Sequence, residues 1–458
     1  MLKKVLLFSS IGLFSVLLIG YLAMAYVSSK RFFPNTKING YDCSFKTPEY
    51  VEGLLHENPA DYSLEIDFRG TTEKITGKDI GLKFDFKSGI DEIKNEQNPF
   101  MWFMFPWNKE HEVEKKISFE DGMIATRLDK MPELDETKMI QPENPVIQLN
   151  DEDVVEAVIK EEGNVIEDFD ALHNLVADAV AKLETKIDVD EAGLYKEPEY
   201  TLDHPKVKKC LEYCNKIVGL DSKYIYGTTG VPIEKYLLYS TITIDENYNT
   251  AISKFKVFKM LESFSRLHDT YGKARKFKNH DGRYLSITDG DYGWQINIEE
   301  EAEQLYGDLI RARGIFREPV FENTGFIYEK DGNDIGTFYA EVCISKQHMY
   351  LYKDKRMVLH SDVVTGCLNQ GHGTPSGIYS VKYKQSPAVL KGEDYESKVT
   401  YWMPFNGGIG FHDATWRGWF GGDIYVYSGS HGCVNMPYSA AEEMFYLIEE
   451  GIPVIVYE

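Results

Sequence analysis

A chain of 458 residues is too long for one ordinary hydrophobic core, so we expect roughly two to four domains. Its composition, 43% hydrophobic and 13% aromatic, can fill several cores and argues against a largely disordered chain. With 73 acidic and 50 basic side chains the net charge is −23, which repels phosphates and excludes a general nucleic-acid partner. The 6 cysteines are too scattered for a disulfide scaffold or a zinc ribbon.

The N-terminus carries an uncharged, mostly apolar run over residues 5–27, preceded by Lys3 and Lys4. A helix of this length crosses a hydrocarbon core of about 30 Å. We therefore predict a membrane anchor within residues 1–30, in a single-pass protein of the cell membrane whose remaining chain lies outside the cytoplasm. A cleaved signal peptide is the alternative, because residues 23–25 (Ala-Met-Ala) have the small-x-small form of a cleavage site.

The region after the anchor mixes strand and helix patterns. Residues 62–68 and 81–86 alternate in polarity and predict strands. A helix is predicted to begin near Asp168 or Asp170, either of which could cap it. Its apolar face would comprise Phe169, Leu172, Val176, Val180 and Leu183.

A weak internal repeat divides this region. Residues 193–200 recur as residues 314–321, and residues 75–81 resemble residues 287–293. We predict two copies, 31–203 and 204–325. The first copy contains an insertion whose aromatic cluster, residues 100–107, we expect to be buried rather than docked on a partner or a membrane.

These phrases, together with residues 38–42 (Ile-Asn-Gly-Tyr-Asp), resemble the peptidoglycan-binding α+β domain that often follows a membrane anchor in wall enzymes. The resemblance implies two α+β wall-binding repeats. A spacer that holds the next domain away from the membrane explains the same sequence.

From about Thr337 onward the sequence pattern changes to short strand-like segments separated by glycine and proline. This pattern predicts a compact β-rich domain over residues 337–458. Residues 326–336 are predicted to be a linker.

The residues that carry chemistry lie near the C-terminus. Cys433 stands in residues 430–435 (Ser-His-Gly-Cys-Val-Asn), and 17 residues lie between His412 and Ser430. Cysteine is a nucleophile only as the thiolate, so His412 or His431 could take its proton. Gly432 permits a tight turn whose N–H groups could form an oxyanion hole. A zinc site built from His412, His431 and Cys433 is the alternative.

This run, at this distance from His412, resembles the signature of the L,D-transpeptidases of bacterial peptidoglycan. Residues 363–366 and 373–379 resemble the family's preceding strand and turn. The resemblance implies a multidomain fold class: an N-terminal transmembrane helix, two α+β wall-binding repeats and a C-terminal β-rich L,D-transpeptidase domain.

By resemblance, Cys433 is the nucleophile, His412 is the general base, and His431 with Gly432 supports the oxyanion site. Asp413 would orient the imidazole through its side chain or its main chain. The remaining candidates are the supporting residues Ser430 and Asn435, and the substrate-binding residues Tyr401 and Met403 in a flap over residues 382–403 and Trp416 and Trp419 in the following loop.

The implied activity is a 3→3 peptidoglycan cross-link made through a thioester, without metal or cofactor. The implied partners are a donor tetrapeptide stem and an acceptor amine of a neighbouring stem, and carbapenems would acylate the cysteine. Two alternatives stay open from the sequence: an L,D-carboxypeptidase that uses water instead of the amine, and a non-catalytic wall-binding scaffold.

Overall fold

The computed structural model describes residues 2–107, 110–392 and 396–458. The chain divides into two compact units. The first comprises Met1–Pro145 and Ile159–Thr201, and the second comprises Val146–Val158 and Leu202–Glu458.

The elements up to residue 201 alternate between short helices and short strands. The helices are α1 (Leu2–Lys30), α2 (Pro48–Leu55), α3 (Lys87–Glu96), α4 (Asp121–Leu128) and α5 (Phe169–Ala181). The strands are β1 (Lys37–Ile38), β2 (Tyr41–Asp42), β3 (Ser63–Phe68), β4 (Thr71–Thr76), β5 (Lys83–Asp85), β6 (Glu110–His111), β7 (Lys116–Ser118), β8 (Val146–Leu149), β9 (Val155–Val158) and β10 (Lys186–Asp188).

Helix α1 is long and apolar enough to cross a membrane. Its side chains are exposed along most of its length, whereas Ala25 and Ser28 in its last turns are buried. The carbonyl of Ser28 accepts a hydrogen bond of 2.8 Å from Lys94 Nζ. The C-terminal end of α1 therefore packs into the first unit, while the apolar side chains along the rest of the helix are exposed.

The core of the first unit lies between the β3–β4 hairpin and helices α4 and α5. Strand β10 pairs in parallel with β3, on the side away from β4. The side chain of Asp168 caps α5 by accepting from the N–H of Ala171, which confirms the predicted start of that helix. The predicted strands at 62–68 and 81–86 are confirmed as β3 and β5.

The aromatic insertion differs from its prediction. It forms a 3₁₀ segment, Pro99–Trp107, in which Phe100 and Phe103 are exposed rather than buried. The side chains of residues 104–107 lie outside the described part of the chain. The segment lies against α1, where Tyr21 Oη donates to the carbonyl of Phe100 over 2.7 Å. Because α1 is itself exposed, its contact with the segment leaves the rings of Phe100 and Phe103 accessible to solvent.

The second unit begins with the β8–β9 hairpin and continues from residue 202. Its helices before residue 325 are α6 (Pro205–Val218), α7 (Lys235–Ser240), α8 (Lys254–His268) and α9 (Ile298–Ile310). Its strands there are β11 (Lys223–Tyr226), β12 (Thr229–Pro232), β13 (Ile242–Ile244), β14 (Thr250–Ile252), β15 (Arg275–Lys278), β16 (Tyr284–Ile287), β17 (Gln295–Ile296), β18 (Phe316–Arg317) and β19 (Phe321–Asn323).

Both units contain a hairpin whose first strand pairs in parallel with a strand that follows a helix. In the second unit the hairpin is β11–β12 and the parallel strand is β18. The matched phrases, however, occupy different places in this arrangement. Residues 193–200 follow β10, whereas residues 314–321 include β18. Cys210 and Cys214 are buried on α6, as expected for core residues.

The predicted linker, residues 326–336, makes tertiary contacts within the second unit. Asp334 is buried and forms an ion pair of 2.9 Å with Arg275, and its carbonyl accepts from Tyr292 Oη. Tyr328 is buried against Tyr226. A buried charge needs a paired neighbour, so these contacts fix the segment in place.

The C-terminal region is built around two sheets with one core between them, and a separate hairpin lies outside those sheets. The elements are β20 (Tyr339–Cys343), β21 (His348–Lys353), β22 (Arg356–Asp362), β23 (Gly377–Ser380), β24 (Ala388–Lys391), β25 (Glu396–Val399), β26 (Trp402–Asn406), β27 (Ile409–Asp413), α10 (Ile424–Ser428), β28 (Val434–Met436), α11 (Tyr438–Leu447) and β29 (Pro453–Tyr457). The first sheet has the order β22-β21-β20-β29-β23, the second has the order β26-β27-β28, and β24 pairs with β25 in the separate hairpin.

Candidate active site

The two halves of the sequence signature meet on neighbouring parallel strands. His412 lies on β27 and Cys433 directly precedes β28, and the register places Phe411 beside Val434 and His412 beside Asn435. Neighbouring strands lie about 4.8 Å apart, and side chains two positions apart share a face. His412, Cys433 and Asn435 therefore reach the same cavity.

His412 is buried and held in one orientation. Its Nδ1 lies 2.9 Å from the backbone oxygen of Asp413, which fixes the tautomer with a proton on Nδ1 and a lone pair on Nε2. Its ring lies between those of Trp402 and Trp416, with centroid distances of 5.9 Å to each. Burial lowers the pKa of His412 below its ordinary value, partly opposed by the contact with Asp413.

The two parts of Asp413, its side chain and its main chain, have separate contacts, which shows which of them orients the imidazole of His412. Its carboxylate accepts hydrogen bonds of 2.8 Å from the backbone N–H groups of Thr400 and Tyr401, so the side chain holds the start of β26. The contact with the imidazole is made by the main chain.

Cys433 is buried and its thiol donates weakly to the carbonyl of Gly408, with a sulfur-to-oxygen distance of 3.5 Å. Burial raises the pKa of this thiol to about 11. Both shifts favour the uncharged forms of the pair, a thiol and a neutral imidazole.

The turn before Cys433 requires glycine. Gly432 has a φ of +123°, and a Cβ built there would lie 3.0 Å from Ile409 Cδ1. Its carbonyl accepts from Thr374 Oγ1, and its N–H donates to Ser430 Oγ over 3.0 Å. Because this N–H is engaged by Ser430, the turn leaves the Cys433 N–H as the other backbone candidate for an oxyanion donor.

The second histidine has a different environment from the first. His431 is exposed and its ring packs against that of His372, with centroids 4.6 Å apart. Asn435 is buried, and within the described part of the chain its Oδ1 has no hydrogen-bond partner.

These residues line a cavity of about 230 Å³. Its wall includes Leu390 and Ser397 from the β24–β25 hairpin, which lies within the predicted flap; residues 393–395 of that flap lie outside the described residues. The remaining lining residues are His412, Trp416, Arg417, Gly429, Ser430, His431, Cys433 and Asn435.

Three predicted substrate-binding residues do not reach this cavity. Tyr401 is buried, with its hydroxyl on Glu442 and its ring against Phe445, and Met403 is buried in the core between the sheets. Trp419 is 83% exposed and is not among the lining residues. Alternation along a strand explains the first two, since both point into the core and not towards the cleft.

Arg417 is a charged lining residue that the sequence analysis missed. It lies in the same loop as Trp416, one position further along, and a cationic side chain so close to a catalytic motif was the available signal.

Residues 337–456 match the YkuD family, the L,D-transpeptidase catalytic domain. A cysteine-to-serine mutant of the Enterococcus faecium L,D-transpeptidase is 30% identical, with 54% of this chain and 100% of that chain covered and a TM-score of 0.46. The chain belongs to the L,D-transpeptidase family.

Other solved members match the catalytic region. The catalytic domain from E. faecium L,D-transpeptidase acylated by ertapenem is 42% identical over 26% of this chain and 97% of that chain, with a TM-score of 0.25. An L,D-transpeptidase from Mycobacterium tuberculosis H37Rv is 22% identical over 27% and 58%, with a TM-score of 0.24. No curated protein matches the chain in sequence.

Proposed function

We propose that this L,D-transpeptidase forms 3→3 peptidoglycan cross-links through a thioester on Cys433. The observation that carries the proposal is the arrangement of His412 and Cys433 on adjacent parallel strands, facing one cavity, with the imidazole oriented by the backbone of Asp413.

The first half-reaction transfers an acyl group to sulfur. As the thiol attacks the carbonyl of the third stem residue, His412 Nε2 takes its proton and a C–S bond forms. The oxyanion is stabilised by the Cys433 N–H, and by the Gly432 N–H if it exchanges Ser430 Oγ for the oxyanion. The C–N bond to the terminal D-alanine then breaks, and the imidazolium returns the proton to the leaving amine.

The second half-reaction resolves the thioester. An amine of a neighbouring stem loses a proton to His412, attacks the acyl carbonyl and expels the sulfur, which recovers a proton. If water attacks instead of the amine, the same thioester is hydrolysed to a tripeptide, which is the product of a carboxypeptidase.

Incubation of the enzyme with defined muropeptides separates these outcomes. We expect mass spectrometry to detect dimers heavier than a hydrolysed stem by the mass of one acceptor less one water, with dimer formation increasing with acceptor concentration. Tripeptide as the sole product at saturating acceptor would identify a hydrolase, and unchanged donor would contradict both.

We further propose that α1 anchors the enzyme in the cell membrane with the catalytic domain on the wall side. The support is the exposed apolar surface of α1 and the extracytoplasmic location of peptidoglycan. Wall binding by residues 31–325 stays a prediction that rests on the resemblance alone.

Removal of the anchor provides the test of this location. Deleting residues 1–22 removes exposed apolar turns and retains the buried Ala25 and Ser28, so we expect a soluble and fully active enzyme that no longer sediments with vesicles.

Deleting residues 1–30 is the matched comparison, because it also removes the Lys94 contact with Ser28. We expect it to stay active but to lose about 1–2 kcal/mol of unfolding free energy in the first unit. Continued sedimentation of either truncated chain with vesicles would contradict the anchor.

A further inference from the structure

The active-site cavity contains a cation without a counter-charge. Arg417 is half-buried, and its Nη1 donates to the carbonyl of Ser428 over 2.8 Å. Its Nε is fully buried and has no hydrogen-bond partner among the described residues. No carboxylate in the described ranges forms an ion pair with it.

A partly buried guanidinium with an unmade hydrogen bond destabilises the protein unless a ligand supplies the missing partner. A buried guanidinium loses hydration, and an unmade hydrogen bond from it costs more than one between neutral groups. Burial accordingly lowers the pKa of Arg417. The other described lining residues are neutral or are histidines, so Arg417 carries the one permanent charge among the lining residues described.

The neighbouring charges also favour an anion at this position. Arg417 lies near enough to His412 to lower the pKa of that imidazole, and the carboxylate of Asp413 is directed at the N–H groups of residues 400 and 401. The chain as a whole has a net charge of −23, so an unpaired cation beside the candidate nucleophile is not part of a general basic surface.

We propose that Arg417 forms a carboxylate subsite of the active-site cavity and binds a carboxylate of the donor stem peptide. This rests on the proposed function, which supplies a donor with two possible sources of that group: the terminal D-residue, and the side chain of an acidic third residue. A guanidinium can bind either with charge-assisted hydrogen bonds.

The first experiment needs no peptidoglycan substrate. Iodoacetate and iodoacetamide alkylate the same thiolate and differ in charge, so the ratio of their rates at Cys433 measures attraction of a carboxylate independently of thiolate content. We expect Arg417→Gln to lower this ratio about tenfold while iodoacetamide still reacts. Arg417→Lys should restore most of it, and Arg356→Gln, which removes an exposed arginine of the same unit, should leave it unchanged.

The second experiment identifies the carboxylate. Donors with a C-terminal amide, or with an amidated third side chain, are compared with the free acid in wild type and Arg417→Gln. The carboxylate that binds Arg417 is the one whose amidation raises KM in wild type but does not raise it in Arg417→Gln.

The outcomes distinguish this proposal from the transpeptidase assignment. Absence of any Cys433 alkylation would count against the nucleophile itself. The subsite alone would be overturned if Arg417→Gln reacted normally with iodoacetamide and kept the wild-type ratio of iodoacetate to iodoacetamide rates. It would also be overturned if amidation of each donor raised KM equally in wild type and Arg417→Gln.

Discussion

Replacing Cys433 with alanine is expected to lower acyl transfer by about 10³-fold or more and to abolish the covalent adduct with a carbapenem. The substitution removes the sulfur that would form the thioester. It leaves the backbone of the Gly432 turn and all contacts of Cβ, so we expect a loss of about 1–2 kcal/mol in unfolding free energy at most. Intact-mass spectrometry after incubation with ertapenem measures the adduct directly.

A second buried cysteine gives the matched control. Cys343 lies in the same unit on β20, with its sulfur 3.5 Å from Ser345 Oγ, so Cys343→Ser keeps a polar contact there. We expect this variant and the wild type each to form one adduct per chain. An adduct of equal yield on the Cys433→Ala variant would show that another group is acylated and would end the assignment.

The candidate catalytic residues could be named from the sequence because the pattern that marks them is local. Residues 430–433 form one turn that leads into β28, and within it the Ser430 hydroxyl contacts the backbone of both Gly432 and Cys433. The separation from His412 is short enough for β27 and β28 to be neighbours, connected through one loop and α10.

Other features depend on contacts that no short pattern encodes. Tyr401 directly precedes β26 and Met403 lies on it, and their orientation depends on the hydrogen bond from the Tyr401 N–H to Asp413 and on the core between the two sheets. The segment 326–336 has a turn-rich composition typical of linkers, yet Asp334 is fixed by Arg275, nearly 60 residues earlier. Long-range polar pairing of this kind is invisible to periodicity.

Replacing His412 with alanine is expected to slow acylation of Cys433 by about 10²- to 10⁴-fold, which is the usual contribution of a general base. Burial makes the thiol a weak acid in the resting enzyme, so little thiolate exists at neutral pH without a proton acceptor. Iodoacetamide alkylation should fall as well, because it requires the thiolate but not an oxyanion hole. Stopped-flow acylation by a carbapenem and mass-detected alkylation measure the two rates, with Cys433→Ala as the background.

His431→Ala is the informative comparison, since His431 is exposed and packs against His372 beside the Gly432 turn. Its removal should disturb the backbone donors more than the thiolate, and therefore lower acylation more than alkylation. If instead His431→Ala lowers alkylation strongly and His412→Ala does not, the general base is His431.

The pH dependence separates a general base from a preformed ion pair. The pKa of His412 is lowered, so its neutral form should persist below the ordinary histidine range, and wild-type acylation should decline only when pH falls through that lowered value. The Cys433 pKa of about 11 means that free thiolate increases throughout the range from pH 6 to 9. The His412→Ala variant, which depends on that free thiolate, should therefore gain about tenfold per pH unit, while wild type reaches a plateau. Equal profiles for the two proteins, or wild-type alkylation that stays constant far below neutrality, would indicate a thiolate–imidazolium pair already present at rest.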